Sequence, residues 1–283
     1  MVEPLIVAAA QATPLPGAVA ENAALGAGLV ARAEGARVVV LPELFLCAYH
    51  PPTLYASGLA DVEASAEGAV DDARLDPLRT AAREHRAVVV VGASVRRGAA
   101  RTCSALVVHP DGTVVVGYDK QNLWGPDERA LFTPGDRGAT LTVDGWRLGL
   151  GICYDGCFPE HGRAAATDGV HGCLYPSGYL AGSEHRRDVY YAARALDNTM
   201  YVVFANSVGS VPPYRFNGGT AVYDPEGRAL ARAPDDGEAV VVATLDLADL
   251  DRVRAAHTML LDRPLSAGAP RAQINSLALP AGA

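Results

Sequence analysis

The rhythm of its apolar runs constrains this chain more than any other feature. Valine-rich stretches such as "RVVVLPE" (37–43) and "VVVVGAS" (88–94) have the length and branching of buried strands. Between them, residues 71–87 carry helical spacing in spite of Pro77. "LIVAAAQ" (5–11) likewise reads as a strand ahead of a helix over 21–36. Asp-Gly turns close two hairpins, over 102–120 and 139–155. A short helix, a strand at 172–177, a helix at 183–198 and strands at 201–207, 219–232 and 238–246 complete the pattern. Crossovers and hairpins in one chain predict an α/β fold with a mixed sheet. The pattern holds to about residue 257, so residues 1–257 are expected to form one domain. The Pro-, Ala- and Gly-rich residues 258–283 are expected to form an arm.

Composition removes several function classes. A net charge of −8 with no basic block argues against a nucleic-acid or anionic-membrane surface. No run approaches the roughly 18 apolar residues of a membrane span. The N-terminus has an acid and no basic region, so it reads as a first strand and not a signal peptide. Five cysteines are an odd count for a secreted disulfide framework, and a cytoplasmic protein is expected.

Three strand ends carry reactive side chains: Glu43 closes "VVVLPE", Lys120 closes "VVVGYDK" and Cys153 closes "LGLGIC". Taken singly, such residues are ordinarily a solvated acid, a surface lysine and a packed thiol. Together they suit acyl transfer, with a carboxylate to take the thiol proton, an ammonium to stabilise an oxyanion and a sulfur to attack. Cys153 stands between the period-2 run of 148–152 and the helix-like "FPEHGRAAATDG", beside backbone N–H groups that favour a thiolate. Cys153 and Cys157 make a poor zinc signature without a second pair, "CAYH" (47–50) has no partner motif, and Cys103 and Cys173 read as core filler. His161 and His171 lack a partner that would orient them as a base. No metal or cofactor is expected.

"LPELFLCAY", "HPDGTVVVGYDKQNLWGPDERALFTPG" and "GICYDGCFPE" resemble the three signature regions of the nitrilase superfamily, the carbon–nitrogen hydrolases. The likeness runs over about residues 5–250. It implies a four-layer α-β-β-α sandwich with mixed sheets and a catalytic triad of Glu43, Lys120 and Cys153. It also implies that Glu128 holds Lys120 or the substrate amide. The N–H of Tyr154, next after the nucleophile, would join Lys120 in the oxyanion hole. Tyr49, Trp124, Ser177 and Tyr179 follow the relevant strand ends and are the expected pocket residues. The sequence departs from the commoner pattern at Gln121-Asn122, at Cys157 where a basic residue is frequent, and at Asp197-Asn198. The expected activity is hydrolysis of a small-molecule amide through a Cys thioester. Alternatives are an N-carbamoyl amide hydrolase, a nitrilase, or a non-hydrolytic acyl-transfer or interaction relative. Tyr154-Asp155 is similar to the amidase branches, whereas nitrilases usually carry Trp-Glu there. The apolar "HTMLLDRPL" suggests an arm that crosses to a neighbour, in a homodimer or larger even-numbered oligomer.

Overall fold

The structure is a computed structural model that describes residues 2–56 and 58–263. Most of the expected arm, residues 264–283, lies outside the described residues. Strands numbered along the chain form two large sheets. The first holds β1 (Leu5–Gln11), β2 (Val38–Val40), β3 (Asp61–Glu63), β4 (Val88–Arg97), β5 (Ala100–Val108), β6 (Val114–Asp119) and β15 (Ala239–Leu245). Its order is β15-β1-β2-β4-β5-β6, with β3 paired to β4. The second holds β7 (Ala139–Val143), β8 (Trp146–Leu150), β9 (Gly172–Ser177), β10 (Tyr201–Asn206), β13 (Ala221–Tyr223) and β14 (Ala229–Arg232), in the order β14-β13-β10-β9-β8-β7. A small ribbon pairs β11 (Val208–Val211) with β12 (Tyr214–Asn217).

Alternation along the strands builds the layers. Val7, Ala9, Val38, Val40, Val88 and Val90 face inward and pack with Leu148, Leu150, Leu174 and Val203 of the second sheet. Their neighbours Ala8, Val39, Val89 and Val91 face outward, against Ala23, Leu29 and Val30 of helix α1 (Val19–Arg32). After α2 (Pro51–Ala56), helix α3 (Asp76–His85) adds Leu78 and Ala82 to that layer. On the far side, α5 (Pro159–Thr167) and α6 (Glu184–Leu196) cover Cys173, Tyr175, Val202 and Phe204. Both faces of each sheet are thus buried, which is why the strands read as continuous apolar runs. Each fully buried Val or Leu contributes about 1.5–3 kcal/mol. The result is the expected four-layer α-β-β-α sandwich with mixed sheets. Three further helices are α4 (Gly125–Leu131), α7 (Leu247–Ala256) and the short α8 (Met259–Asp262). Among the described residues, no helix is long and apolar enough to cross a membrane.

Candidate active site

β4 lies parallel to β2, and two antiparallel steps through β5 restore that direction in β6. The loops after β2 and β6 therefore leave the first sheet at the same end. There they meet the ends of the parallel strands β8 and β9, and the Glu43 N–H donates to Ser177 O at 3.3 Å. Glu43 lies three residues past β2, in a turn pressed against β4. A Cβ on Gly92 would come 2.3 Å from Leu44 N and 2.6 Å from Glu43 Cα, so only glycine admits that turn. The Gly92 N–H, donating to Pro42 O at 3.0 Å, fixes it.

Lys120 leaves β6 directly and is buried. Its Nζ donates to Glu43 Oε1 at 2.5 Å and approaches Glu128 Oε1 and Oε2 at 2.9 and 2.8 Å. Glu128, on α4, also accepts from Tyr49 Oη at 2.7 Å and from the Trp124 N–H at 2.7 Å. Two carboxylates thus share one ammonium, and Glu43 Oε2 has no hydrogen-bond partner. Burial of a carboxylate without full compensation disfavours its charge. Burial, with Glu128 adding repulsion against the attraction of Lys120, raises Glu43 to about 7. Burial works against charge on Lys120 too, but Glu128 and Glu43 outweigh it and hold the ammonium well above its ordinary range.

Cys153 opens the single helical turn Cys153–Cys157 with φ at +44°, a left-handed conformation that costs a non-glycine residue about 1–2 kcal/mol. Asp155 holds this elbow. Its Oδ2 accepts from the Ile152 N–H at 3.0 Å and from Tyr118 Oη at 2.8 Å. Its Oδ1 accepts from Asn122 N and Nδ2 at 2.9 and 2.8 Å. Tyr118 and Asn122 flank Lys120, so one buried carboxylate ties the lysine segment to the cysteine turn. From the other side, Tyr191 Oη donates to Cys153 O at 2.9 Å. The expectation of a resting thiolate does not hold. Although Cys153 is open to the cavity, the protein around it, together with the Glu43 charge, pushes its thiol well above the usual range. Desolvation outweighs the Lys120 charge and the nearby Gly178 N–H. The arrangement therefore holds a neutral thiol in the same cavity as a carboxyl group raised to near neutrality.

Glu43, Tyr49, Glu128, Cys153, Tyr154, Trp124 and Tyr179 all line one cavity of about 320 Å³. Ser177 does not. It shares strand parity with Tyr175, so it faces the outer helices and bonds Tyr191 Oη at 3.1 Å. Cys157 lines the cavity, 3.1 Å from Tyr179 Oη, and Cys103 Sγ approaches Glu43 Oε1 at 3.8 Å from the sheet. His161 lies between Tyr118 and Tyr175, and His171 against Trp146. A more open groove of about 740 Å³ beside β6 contains the Arg97–Asp119 and Arg137–Asp136 pairs and no cysteine. Among the described residues, no group of three or more His, Cys, Asp or Glu is placed to hold a metal ion.

The family model of carbon-nitrogen hydrolase matches residues 6–255. The chain belongs to the carbon-nitrogen hydrolase family. An (R)-stereoselective amidase of Pseudomonas sp. is 36% identical over 232 residues, covering 81% of this chain and 80% of the relative. The omega-amidase of Bos taurus is 30% identical over 249 residues, covering 83% and 86%. Among solved structures, an amidase from Nesterenkonia sp. AN1 with the acetamide moiety of fluoroacetamide added covalently at its active site cysteine has a TM-score of 0.78. Its identity is 28%, over 92% of this chain and 93% of that one. In this carbon-nitrogen hydrolase, sequence reasoning missed Arg186 and Tyr190, which line the cavity four residues apart on α6. The helical period of 183–198 was the signal that could have found them.

Proposed function

We propose that the protein hydrolyses a small amide through a thioester on Cys153. The observation that carries this reading is the convergence of Cys153 with the unpartnered oxygen of Glu43 on one cavity, beside buried Lys120. Glu43 takes the Cys153 proton as sulfur attacks the amide carbonyl. Lys120 and the Tyr154 N–H stabilise the oxyanion, and Glu128 holds Lys120 in place. The protonated Glu43 then delivers its proton to the leaving nitrogen, and ammonia or an amine departs. Glu43 next removes a proton from water, which attacks the thioester; the acyl C–S bond breaks, the carboxylic acid leaves, and Glu43 returns the proton to the Cys153 sulfur. Amide and water are consumed, acid and amine are formed, and no cofactor enters the sequence.

An amide presents a carbonyl oxygen to the cation and an N–H donor to the carboxylates, whereas a nitrile lacks that donor. Leaving a buried acceptor unpaired costs about 1–3 kcal/mol, or roughly 10- to 100-fold in rate. The expected result is a higher kcat/KM for an amide than for its matching nitrile under identical conditions. A nitrile that is equal or better contradicts the assignment.

A further inference from the structure

Where α5 packs against the end of α6, two guanidiniums converge on Asp197. Arg163 Nη2 donates to Asp197 O at 2.5 Å, and Arg194 Nη2 stands 3.6 Å from Asp197 Oδ2. Among the described residues Arg163 has no ion-pair partner, and Arg194 has none but Asp197. Arg194 is only 6% exposed, yet its Nε and Nη1 lack a hydrogen-bond partner, as does the buried Nη1 of Arg163. Neither arginine lines the cavity of Cys153.

The acid between them does not compensate them. Asp197 is half-buried, and its Oδ1 is taken by Asn198 Nδ2 at 2.9 Å. Burial holds its carboxyl above the ordinary range in spite of Arg194 and Arg163. A guanidinium can only donate, so three buried nitrogens call for an acceptor that the described residues do not supply. Two cations against one carboxylate also leave one positive charge over. We propose that one small monovalent anion of the halide class binds between Arg163 and Arg194 and staples α5 to the end of α6. The space is narrow, since a Cβ on Gly162 would come 3.1 Å from Asn198 Nδ2 and 3.2 Å from Arg194 Cδ. That favours a single atom over a branched oxyanion. Thr199 Oγ1, buried and unpartnered in the turn that follows α6, is a further donor. Asn198 Oδ1 is an unpartnered acceptor, which a water would satisfy and an anion would not, so water alone is the competing occupant.

Thermal unfolding of the full chain in sodium gluconate, titrated with sodium chloride or bromide at constant ionic strength, tests the site. The expected result is a saturable rise in Tm, reaching about 5 °C once the halide is about a hundredfold above its dissociation constant. Arg163→Gln should weaken that constant about tenfold, and Arg194→Met should abolish the dependence. Because loss of the buried Arg194 threatens the fold itself, a second arm uses the natural protein. Anomalous diffraction from crystals grown in bromide should show one peak between the two guanidiniums. Equal Tm in halide and gluconate, with water alone between the arginines, overturns the inference. A halide effect that Arg163→Gln leaves unchanged puts the anion elsewhere and overturns it too. A bromide peak without any halide effect on Tm is an adventitious ion only, and has the same consequence.

Discussion

The protein buries two charge clusters of opposite design. Asp61, at the start of β3, is surrounded: its Oδ1 accepts from Ser94 Oγ at 2.6 Å and from Arg101 Nε at 2.8 Å, and its Oδ2 accepts from Arg96 at 2.8 Å. One carboxylate faces two guanidiniums, and both its oxygens are occupied. The cluster fastens β3, β4 and β5 together. At the other cluster, two carboxylates face one ammonium, and Glu43 keeps an oxygen free at the cavity. Asp61 and Glu43 are equally buried, so the difference between the two carboxylates lies in compensation. A buried carboxylate with both oxygens occupied by cations is a fastener. An under-compensated one holds a proton affinity near neutrality and can exchange that proton with a neighbour.

Substitution should separate the two designs. Glu43→Gln keeps the shape of the cavity cluster but removes the proposed base, and turnover should fall by about 10²–10⁴-fold with the fold retained. Asp61→Asn should leave Arg101 without its ion-pair partner and Arg96 with only Glu63, at 4.0 Å, and act on stability instead. Because Arg96 is partly exposed, the loss should lie toward the lower end of the roughly 3–5 kcal/mol seen for broken buried pairs. Steady-state kinetics beside urea denaturation of both variants checks this. The comparison breaks if Asp61→Asn abolishes turnover in protein that remains folded, or if Glu43→Gln simply unfolds the chain.

A smaller effect sharpens the same contrast. Because burial raises Glu43 to about 7, kcat/KM should rise with pH along a limb near that value, which belongs to the coupled cluster. Glu128 contributes to the rise, so Glu128→Gln should move the limb to lower pH. Stability should run the other way. A carboxyl whose folded pKa is raised contributes stability that is complete below its unfolded pKa and is lost as pH climbs through the folded value. Glu43→Gln should therefore flatten the fall in Tm between about pH 4.5 and about pH 7. A limb that stays in place in Glu128→Gln removes the electrostatic account.

Much of this was legible in the sequence because strands and turns leave periodic signals. The valine runs show which segments are strands buried on both faces, and the Asp-Gly turns mark the hairpins. Glu43, Lys120 and Cys153 were legible because each follows a strand that ends on one edge of the sandwich. Ser177 was misplaced because reaching a strand end does not say which face a side chain takes, and its parity with Tyr175 sends it to the helix layer. Arg186 was hidden in "EHRRD", where two adjacent arginines look alike. Only the packing of α6 buries Arg187 with Tyr191 and Arg194 and turns Arg186 with Tyr190 to the cavity. The state of the Cys153 thiol was misjudged for a related reason. Local N–H groups were visible in the sequence, but the desolvation that outweighs them comes from distant segments.

The account depends most on Cys153 as the atom that bonds to the acyl group. Acid quenching of the protein during turnover of an amide, followed by peptide mass spectrometry, reads that bond directly. The expected result is an acyl mass on the peptide carrying Cys153, localised to Cys153 and absent in Cys153→Ala. An acyl group found on Cys157, or steady turnover by Cys153→Ala, would contradict it.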